Sequence, residues 1–144
     1  MATTGWQFWA LASAVFAALT AIFGKIGVES INSNFATLIR TGVILVIILG
    51  TVVSTKSYQS LAAVSSRTYL FLILSGIATG LSWLCYYRAL QIGPTAGVVS
   101  IDKLSVVFVA LFSVLVLSER LSLVNWLGVA MIAAGAVLVG LRTV

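Results

Sequence analysis

The sequence predicts an all-α integral membrane protein, a bundle of five transmembrane helices. Five apolar stretches occupy most of the 144 residues. Each has about the 20 residues that a helix rising 1.5 Å per residue needs to cross a bilayer. Hydrophobic residues make up 61% of the chain and charged residues only 8%, whereas soluble domains carry about 25% charged residues. The predicted spans are Trp6–Gly24, Asn34–Ser54, Tyr69–Gln91, Thr95–Leu117 and Leu123–Leu141.

Short polar links separate the spans and predict a single transmembrane domain over residues 1–144 without a soluble extramembrane domain. In the third link, Gly93-Pro94, glycine suits the C′ position of one helix and proline the N1 position of the next. Ser122 is placed to cap the last helix. An odd number of spans puts the two termini on opposite sides of the membrane. Candidates for the N-cap of the second helix are Ser30, Asn32, Ser33 and Asn34.

Composition argues against several functional classes. The net charge is +5, but the basic residues are scattered singly, so anionic lipid headgroups are a simpler partner than nucleic acid. The chain has no histidine and one cysteine, Cys85, so we expect neither a metal site nor a cofactor. Paired carboxylates and a glycine-rich phosphate loop are also missing from the sequence, and we predict that the protein is not an enzyme.

Small residues recur at one-turn spacing in three of the spans. Such residues let helix backbones approach closely in lipid, either inside one bundle or between subunits. The fifth span is the best candidate for a contact between subunits because it is uniformly small and apolar. The residues concerned are Ala10, Ala14 and Ala18, then Gly76 and Gly80, and in the fifth span Ala130, Ala134, Ala136 and Gly140.

Charged residues also lie inside the predicted spans. Arg40, Arg88, Asp102 and Lys103 fall at depths of roughly 5 to 13 Å, counted from the membrane side that holds the Gly93-Pro94 turn. A buried Arg or Lys costs at least about 2.5 to 3.5 kcal/mol on insertion scales. These side chains are therefore expected to face a partner or a cavity rather than lipid.

Two interpretations of these charges remain open. In the structural one, Asp102 pairs with Arg40, Arg88 or Lys103, and the basic side chains snorkel to the headgroups. In the functional one, the charges and nearby aromatic rings line a cavity that attracts an anionic or zwitterionic solute. Asp102 is the sole candidate for a proton-linked switch, although Lys103 beside it favours the ionised form. The predicted substrate-binding residues are Arg40, Trp83, Tyr86, Tyr87, Arg88, Asp102 and Lys103.

Three segments of the sequence resemble a known family. They are Arg88-Ala-Leu-Gln-Ile-Gly-Pro-Thr-Ala-Gly-Val-Val-Ser-Ile-Asp-Lys-Leu-Ser105, Leu117-Ser-Glu-Arg-Leu-Ser122 and Trp126-Leu-Gly-Val. Together with Arg40, which looks like part of that repeat's second helix, they resemble the EamA repeat of the drug/metabolite transporter superfamily. The resemblance covers essentially the whole chain.

The resemblance implies a fold, an activity and an assembly. Family members usually carry two five-helix repeats of inverted topology with a substrate cavity between them, whereas this chain carries one. It therefore implies a homodimer, or a heterodimer with a similar small subunit. Glu119 and Arg120 match the family's Glu-Arg motif and are expected to form a structural ion pair or gate. Related small exporters use a glutamate in their first helix, which Trp6–Gly24 lacks, so that similarity is one of architecture.

The predicted function is small-solute transport, with export of metabolites or drugs across a bacterial inner membrane by a dimer. One alternative is an accessory or scaffold subunit that does not transport. Another is a flippase for a lipid-linked sugar. The residues do not select a substrate within the range that the family handles.

In membrane proteins with short loops, the number of Lys and Arg residues on each side of the membrane sets the orientation. In this chain the two sides differ little, so the bias is weak. A weakly biased chain can insert in both directions, and two opposed copies would recreate an inverted pair of repeats. The sequence therefore predicts an antiparallel homodimer with much of its contact through the fifth span. One side carries Lys56, Arg67 and Arg120; the other carries Lys25 and Arg142, with Arg40, Arg88 and Lys103 within snorkelling reach.

Overall fold

The structure is a computed structural model that describes residues 5–60 and 63–142, the side chain of Arg142 excepted. In these residues it is all-helical, and five segments are long and apolar enough to cross a membrane. The prediction of an all-α, five-span protein is confirmed. The helices are α1 (Gly5–Gly27), α2 (Ser33–Thr55), α3 (Ser66–Ile92), α4 (Thr95–Asp102), α5 (Ser105–Val116) and α6 (Leu123–Arg142).

Polar residues define where two of the helices begin. The Asn32 side chain accepts a hydrogen bond from the Asn34 N–H at 2.9 Å and caps α2. The Ser122 hydroxyl oxygen accepts a bond from the Asn125 N–H at 3.2 Å at the start of α6. Each cap satisfies one of the amide groups that a helix leaves without an internal partner. The predicted cap at Ser122 is confirmed, and Asn32 is the cap among the four candidates for α2.

The Gly93-Pro94 turn differs from its prediction. Pro94 is the N-cap of α4, in an extended conformation (φ −69°, ψ 134°), and the helix begins one residue later. No described glycine has a positive φ, so Gly93 is not a left-handed cap. The extended Pro94 redirects the chain instead, because its ring already fixes φ near this value. The Gly93 carbonyl accepts a hydrogen bond from Lys25 Nζ at 3.0 Å, which ties the end of α1 to this turn.

The fourth predicted span is broken. α4 ends at Asp102 and α5 begins at Ser105. Around the break the hydrogen bonds tighten to i→i−3: Leu104 N–H donates to the Ile101 carbonyl at 3.0 Å, and Val106 N–H donates to the Lys103 carbonyl at 3.0 Å. These bonds are typical of a short 3₁₀ turn. No glycine or proline lies between Ser100 and Val106, so the break does not come from the residues that most often kink a helix.

The helices form two compact units. One contains α1, α4, α5 and α6, and the other contains α2 and α3. In the first unit, α6 packs against both α4 and α5.

The packing of α6 divides the small residues predicted for a subunit contact. Ala136 is buried, and a Cβ at Gly140 would lie 2.5 Å from Ile101 Cδ1. These two residues therefore serve contacts within the chain, so the prediction that they lie in a dimer contact is wrong for them. Ala130 and Ala134 lie on the other face of α6 and are exposed. The reason is the helical period: positions 136 and 140 share one face, and 130 and 134 share another.

Gly140 lets α4 approach the backbone of α6, which yields a first prediction. Gly140→Leu should lower the thermal stability of the purified protein, because the new side chain and Ile101 would compete for one position; overpacking of this kind costs about 1–3 kcal/mol. The midpoint of thermal unfolding, followed by size-exclusion chromatography in detergent, measures the effect.

Gly135→Leu is the matched control. Gly135 lies on the same helix, and a Cβ there would meet no atom within 4 Å. We expect its unfolding midpoint to stay near that of the wild type. Equal losses from both variants would show that the Ile101 contact does not hold α4 on α6.

Candidate functional site

The α2–α3 unit places one of the membrane-embedded charges against aromatic rings. Arg40 lies on α2, with its guanidinium carbon 4.1 Å from the centre of the Trp83 ring and 5.1 Å from that of Tyr87. Trp83 and Tyr87 are four residues apart on α3, so they project from the same face of that helix. Tyr86 contacts Tyr87 edge to face, with ring centres 5.8 Å apart. Four of the predicted site residues thus come together.

Arg40 has no counter-charge among the described residues. Its Nη1 atom is buried without a hydrogen-bond partner there, and no carboxylate of these residues forms an ion pair with it. Contact with a ring face is worth about 2 kcal/mol when the cation is desolvated, against an insertion cost of about 2.5–3.5 kcal/mol. The rings offset the charge without satisfying its N–H donors. The guanidinium therefore remains able to bind an anion.

An open groove runs between α2 and α3 beside this cluster. Its volume is about 770 Å³, and Trp83 belongs to its lining. Gly76 and Gly80 also line it, and a Cβ at either position would meet no atom within 4 Å. We predicted these glycines as sites of close helix packing; packing within the chain is wrong for them, since they leave space instead, and a contact between subunits stays a prediction. The hydroxyl-bearing residues Thr37, Thr41, Ser75 and Thr79 complete its polar lining together with Asn34.

Arg88 has a partner of its own on α3. Its Nη1 donates to Gln91 Oε1 at 2.8 Å. Gln91 Nε2 donates in turn to the carbonyls of Val28 and Ile31 at 3.2 and 3.0 Å. The pair thus anchors the link that leads into α2. A role of Arg88 in substrate binding stays a prediction beside this structural one.

Asp102 and Lys103 belong to the other unit, where they pair with each other. The Lys103 Nζ to Asp102 Oδ2 distance is 3.7 Å, and the two side chains are 52% and 40% exposed. Of the three partners considered for Asp102, the structure selects its neighbour. Both side chains are partly exposed outside the packing of the described residues, and their role in binding stays a prediction.

Two functional features were missed in the sequence. Gln91 was treated as the end of an apolar span, although a polar side chain at that position is a signal for a capping contact. The groove was missed because glycines at one-turn spacing indicate close packing and an open groove equally well. A run of Thr37, Thr41, Ser75 and Thr79 on facing helices was the available signal for the groove.

The sequence model of the EamA-like transporter family matches residues 4–141. The chain belongs to the EamA-like transporter family. A protein of Sinorhizobium sp, named an uncharacterized transporter in cobO 3'region, is 62% identical over 133 residues, covering 92% of this chain and 94% of that protein. No solved structure matches the chain. This EamA-like protein is thus a multi-pass membrane protein of a transporter family, as its sequence predicted.

One expectation attached to the EamA resemblance is wrong for this structure. Glu119 and Arg120 are both exposed, and they form no ion pair in the part of the chain that is described. They lie in the link between α5 and α6, after Ser118 with its left-handed backbone (φ 56°). Exposed in a short link, each side chain is free of the packing that would hold two neighbours together. A gating role for them stays a prediction.

The Gln91 anchor yields the second prediction. Gln91→Leu should destabilise the protein by about 1–3 kcal/mol, because it removes the donor of two hydrogen bonds to backbone carbonyls. The Val28–Ile31 link should also become more sensitive to a protease. Thermal unfolding and limited proteolysis in detergent measure the two effects.

Gln59→Leu serves as the control, since Gln59 is exposed in the link between α2 and α3. Its unfolding midpoint and cleavage pattern should match the wild type. A Gln91→Leu protein as stable and as resistant as the Gln59→Leu protein would contradict the anchoring role.

Proposed function

We propose that this EamA-like protein is a small-solute transporter that exports metabolites or drugs across a bacterial inner membrane as a dimer. Membership of the transporter family supports transport as the activity. The Sinorhizobium relative is named a transporter and has nearly the same length, which supports a transporter built from chains of one repeat. Transport rather than catalysis is the proposed role of the charged residues.

Arg40 is the observation that carries the proposal. A cation inside an apolar span is costly and commonly marks a substrate or ion pathway. Here the guanidinium is held against Trp83 and Tyr87 and has no carboxylate partner among the described residues. We propose that it binds the anionic group of an anionic or zwitterionic solute. We propose further substrate contacts at Tyr86, Arg88, Asp102 and Lys103. For the last three, the proposal rests only on their exposed charges.

The role of Arg40 yields the third prediction. Arg40→Gln should lower transport into proteoliposomes by roughly 10- to 100-fold, the loss expected when a charged hydrogen-bond partner is removed. Expression and thermal stability should change much less. The measurement is uptake of a broad metabolite panel, with and without a proton gradient, normalised to the amount of folded protein.

Arg67→Gln is the matched control, because Arg67 also faces an aromatic ring, with its guanidinium carbon 5.8 Å from the centre of Phe71. Its transport should equal that of the wild type. Loss of folding in Arg40→Gln, with normal transport per folded molecule, would leave Arg40 a structural residue. A wild-type protein that moves no solute of the panel would favour the accessory-subunit alternative.

The dimer is proposed to be antiparallel, since the weak charge bias lets copies insert in both directions. The outward face of α6 is the proposed contact. Ala130 and Ala134 supply small residues there, and Leu127 and Leu138 fall on the same face by their helical spacing and are also exposed. Close approach of two such helices in lipid relies on small residues at the contact.

Disulfide cross-linking in membranes yields the fourth prediction, made in a Cys85→Ser background that removes the native thiol. Ala134→Cys lies near the middle of α6 and should cross-link to its own copy. In an antiparallel pair, Leu127→Cys should cross-link with co-expressed Leu138→Cys and not with itself. The dimer band on a non-reducing gel is the readout.

Ala136→Cys is the control, since residue 136 is buried inside the chain and should give no dimer. Self-cross-linking of Leu127→Cys without the mixed product would indicate a parallel dimer. Absence of any cross-link from Ala134→Cys would remove α6 from the contact.

A further inference from the structure

The groove between α2 and α3 has the dimensions of a ligand site. Its volume of about 770 Å³ falls within the range of roughly 300–1,000 Å³ that is typical of small-molecule pockets. Gly76 and Gly80 keep it open, because a side chain at either position would project into space where no atom lies within 4 Å. The groove is therefore a consequence of two residues without side chains.

Three of the four hydroxyl groups that line the groove are already used inside the helices. Thr37, Thr41 and Thr79 donate to the carbonyls of Ser33, Thr37 and Ser75, at 2.9, 2.7 and 2.9 Å. A hydroxyl has one hydrogen to donate, so these three groups offer no donor to a ligand. The remaining lining is largely aliphatic and aromatic. The groove thus favours an apolar body over one rich in hydrogen-bond acceptors.

Trp83 connects the groove to the charge. Its ring belongs to the groove lining, and the Arg40 guanidinium lies over the same ring at 4.1 Å. Arg40 has no carboxylate partner among the described residues, so the negative charge that complements it must come from outside them. An apolar groove beside an uncompensated cation matches a ligand with an apolar body and one anionic group.

We propose that the α2–α3 groove binds the apolar body of an organic anion whose charged group pairs with Arg40. This inference rests on the proposed transport function and names the substrate class of its Arg40 site. Arg40 selects for the anionic group, and the groove selects for the size of the apolar body. The substrate is a soluble amphipathic anion, and a phospholipid acyl chain in the groove is an alternative that the experiment distinguishes.

Binding of three sulfonates to the purified protein tests the proposal. Methanesulfonate, benzenesulfonate and naphthalene-2-sulfonate share one permanently ionised group and differ in the size of the apolar body. Isothermal titration calorimetry in nanodiscs of neutral phosphatidylcholine measures each affinity without competition from anionic lipid. The variants are Gly80→Leu, which fills the groove, and Arg40→Gln. Gly50→Leu is the matched control, because a Cβ at Gly50 meets no atom within 4 Å and Gly50 does not line the groove.

In the wild type and in Gly50→Leu, affinity should rise along the series, roughly tenfold for each further 60 Å² or so of apolar surface that is buried. Gly80→Leu should abolish this rise and keep the affinity for methanesulfonate. Gly76→Leu provides a second filled groove if Gly80→Leu does not fold. Arg40→Gln should weaken all three anions.

Other outcomes overturn the proposal in distinguishable ways. Equal affinity of the wild type for the three anions, or a rise that survives in both filled-groove variants, removes the groove as a subsite and leaves the Arg40 site standing. No binding of any sulfonate, together with Arg40→Gln transport equal to the wild type, removes the proposed function as well. Co-purified phospholipid that mass spectrometry finds in the wild type but not in Gly80→Leu, with unchanged sulfonate affinities, assigns the groove to lipid.

Discussion

A cation in the membrane-spanning part of a chain needs side chains that stabilise its charge, and in this protein that requirement shapes the α2–α3 unit. Arg40 lies in the first third of α2, where lipid offers no water to solvate it. No carboxylate of the described residues pairs with it, and two rings of α3 lie against it instead. Trp83 and Tyr87 thus lie at the level of the guanidinium, and Tyr87 is buried.

Hydrogen bonds from side chains to backbone carbonyls hold the ends of two helices. Lys25 and Gln91 both use side-chain donors to bind backbone carbonyls across long stretches of sequence, Lys25 at Gly93 and Gln91 at Val28 and Ile31. Carbonyls in links between spans have no internal partner, and an unsatisfied one is costly near lipid. These bonds fix the links within each unit and leave the groove-lining face of α3 free. In α3, the end at Gln91 thus fixes the link to α2, and the part that lines the groove stays open.

The sequence predicted the spans, the N-caps at Asn32 and Ser122 and the identity of the membrane-embedded charges, because these depend on local composition. Asn32 and Ser122 cap their helices through neighbours three residues away or fewer, which short-range rules capture. The break after Asp102 was not predicted, because neither glycine nor proline marks it in the sequence. The sequence also assigned Ala136 and Gly140 to a subunit contact. Spacing alone does not show whether a face of small residues packs within the chain or against another subunit. For the site, aromatic residues near Arg40 were expected, and the empty space over Gly76 and Gly80 was not.

The interrupted fourth span has an electrostatic consequence. The carbonyl end of α4 and the amide end of α5 meet within one membrane crossing, so the partial charges of two peptide dipoles are brought to the same depth. A cation is favoured at a carbonyl end by about 0.3–1 kcal/mol, and Lys103 caps that end of α4. Asp102, in the final position of α4, is disfavoured by that carbonyl end, and its carboxylate lies 3.7 Å from the Lys103 ammonium. The carbonyl end of α4 and the Asp102 carboxylate therefore both favour a cation at the break, which is where the sequence places Lys103.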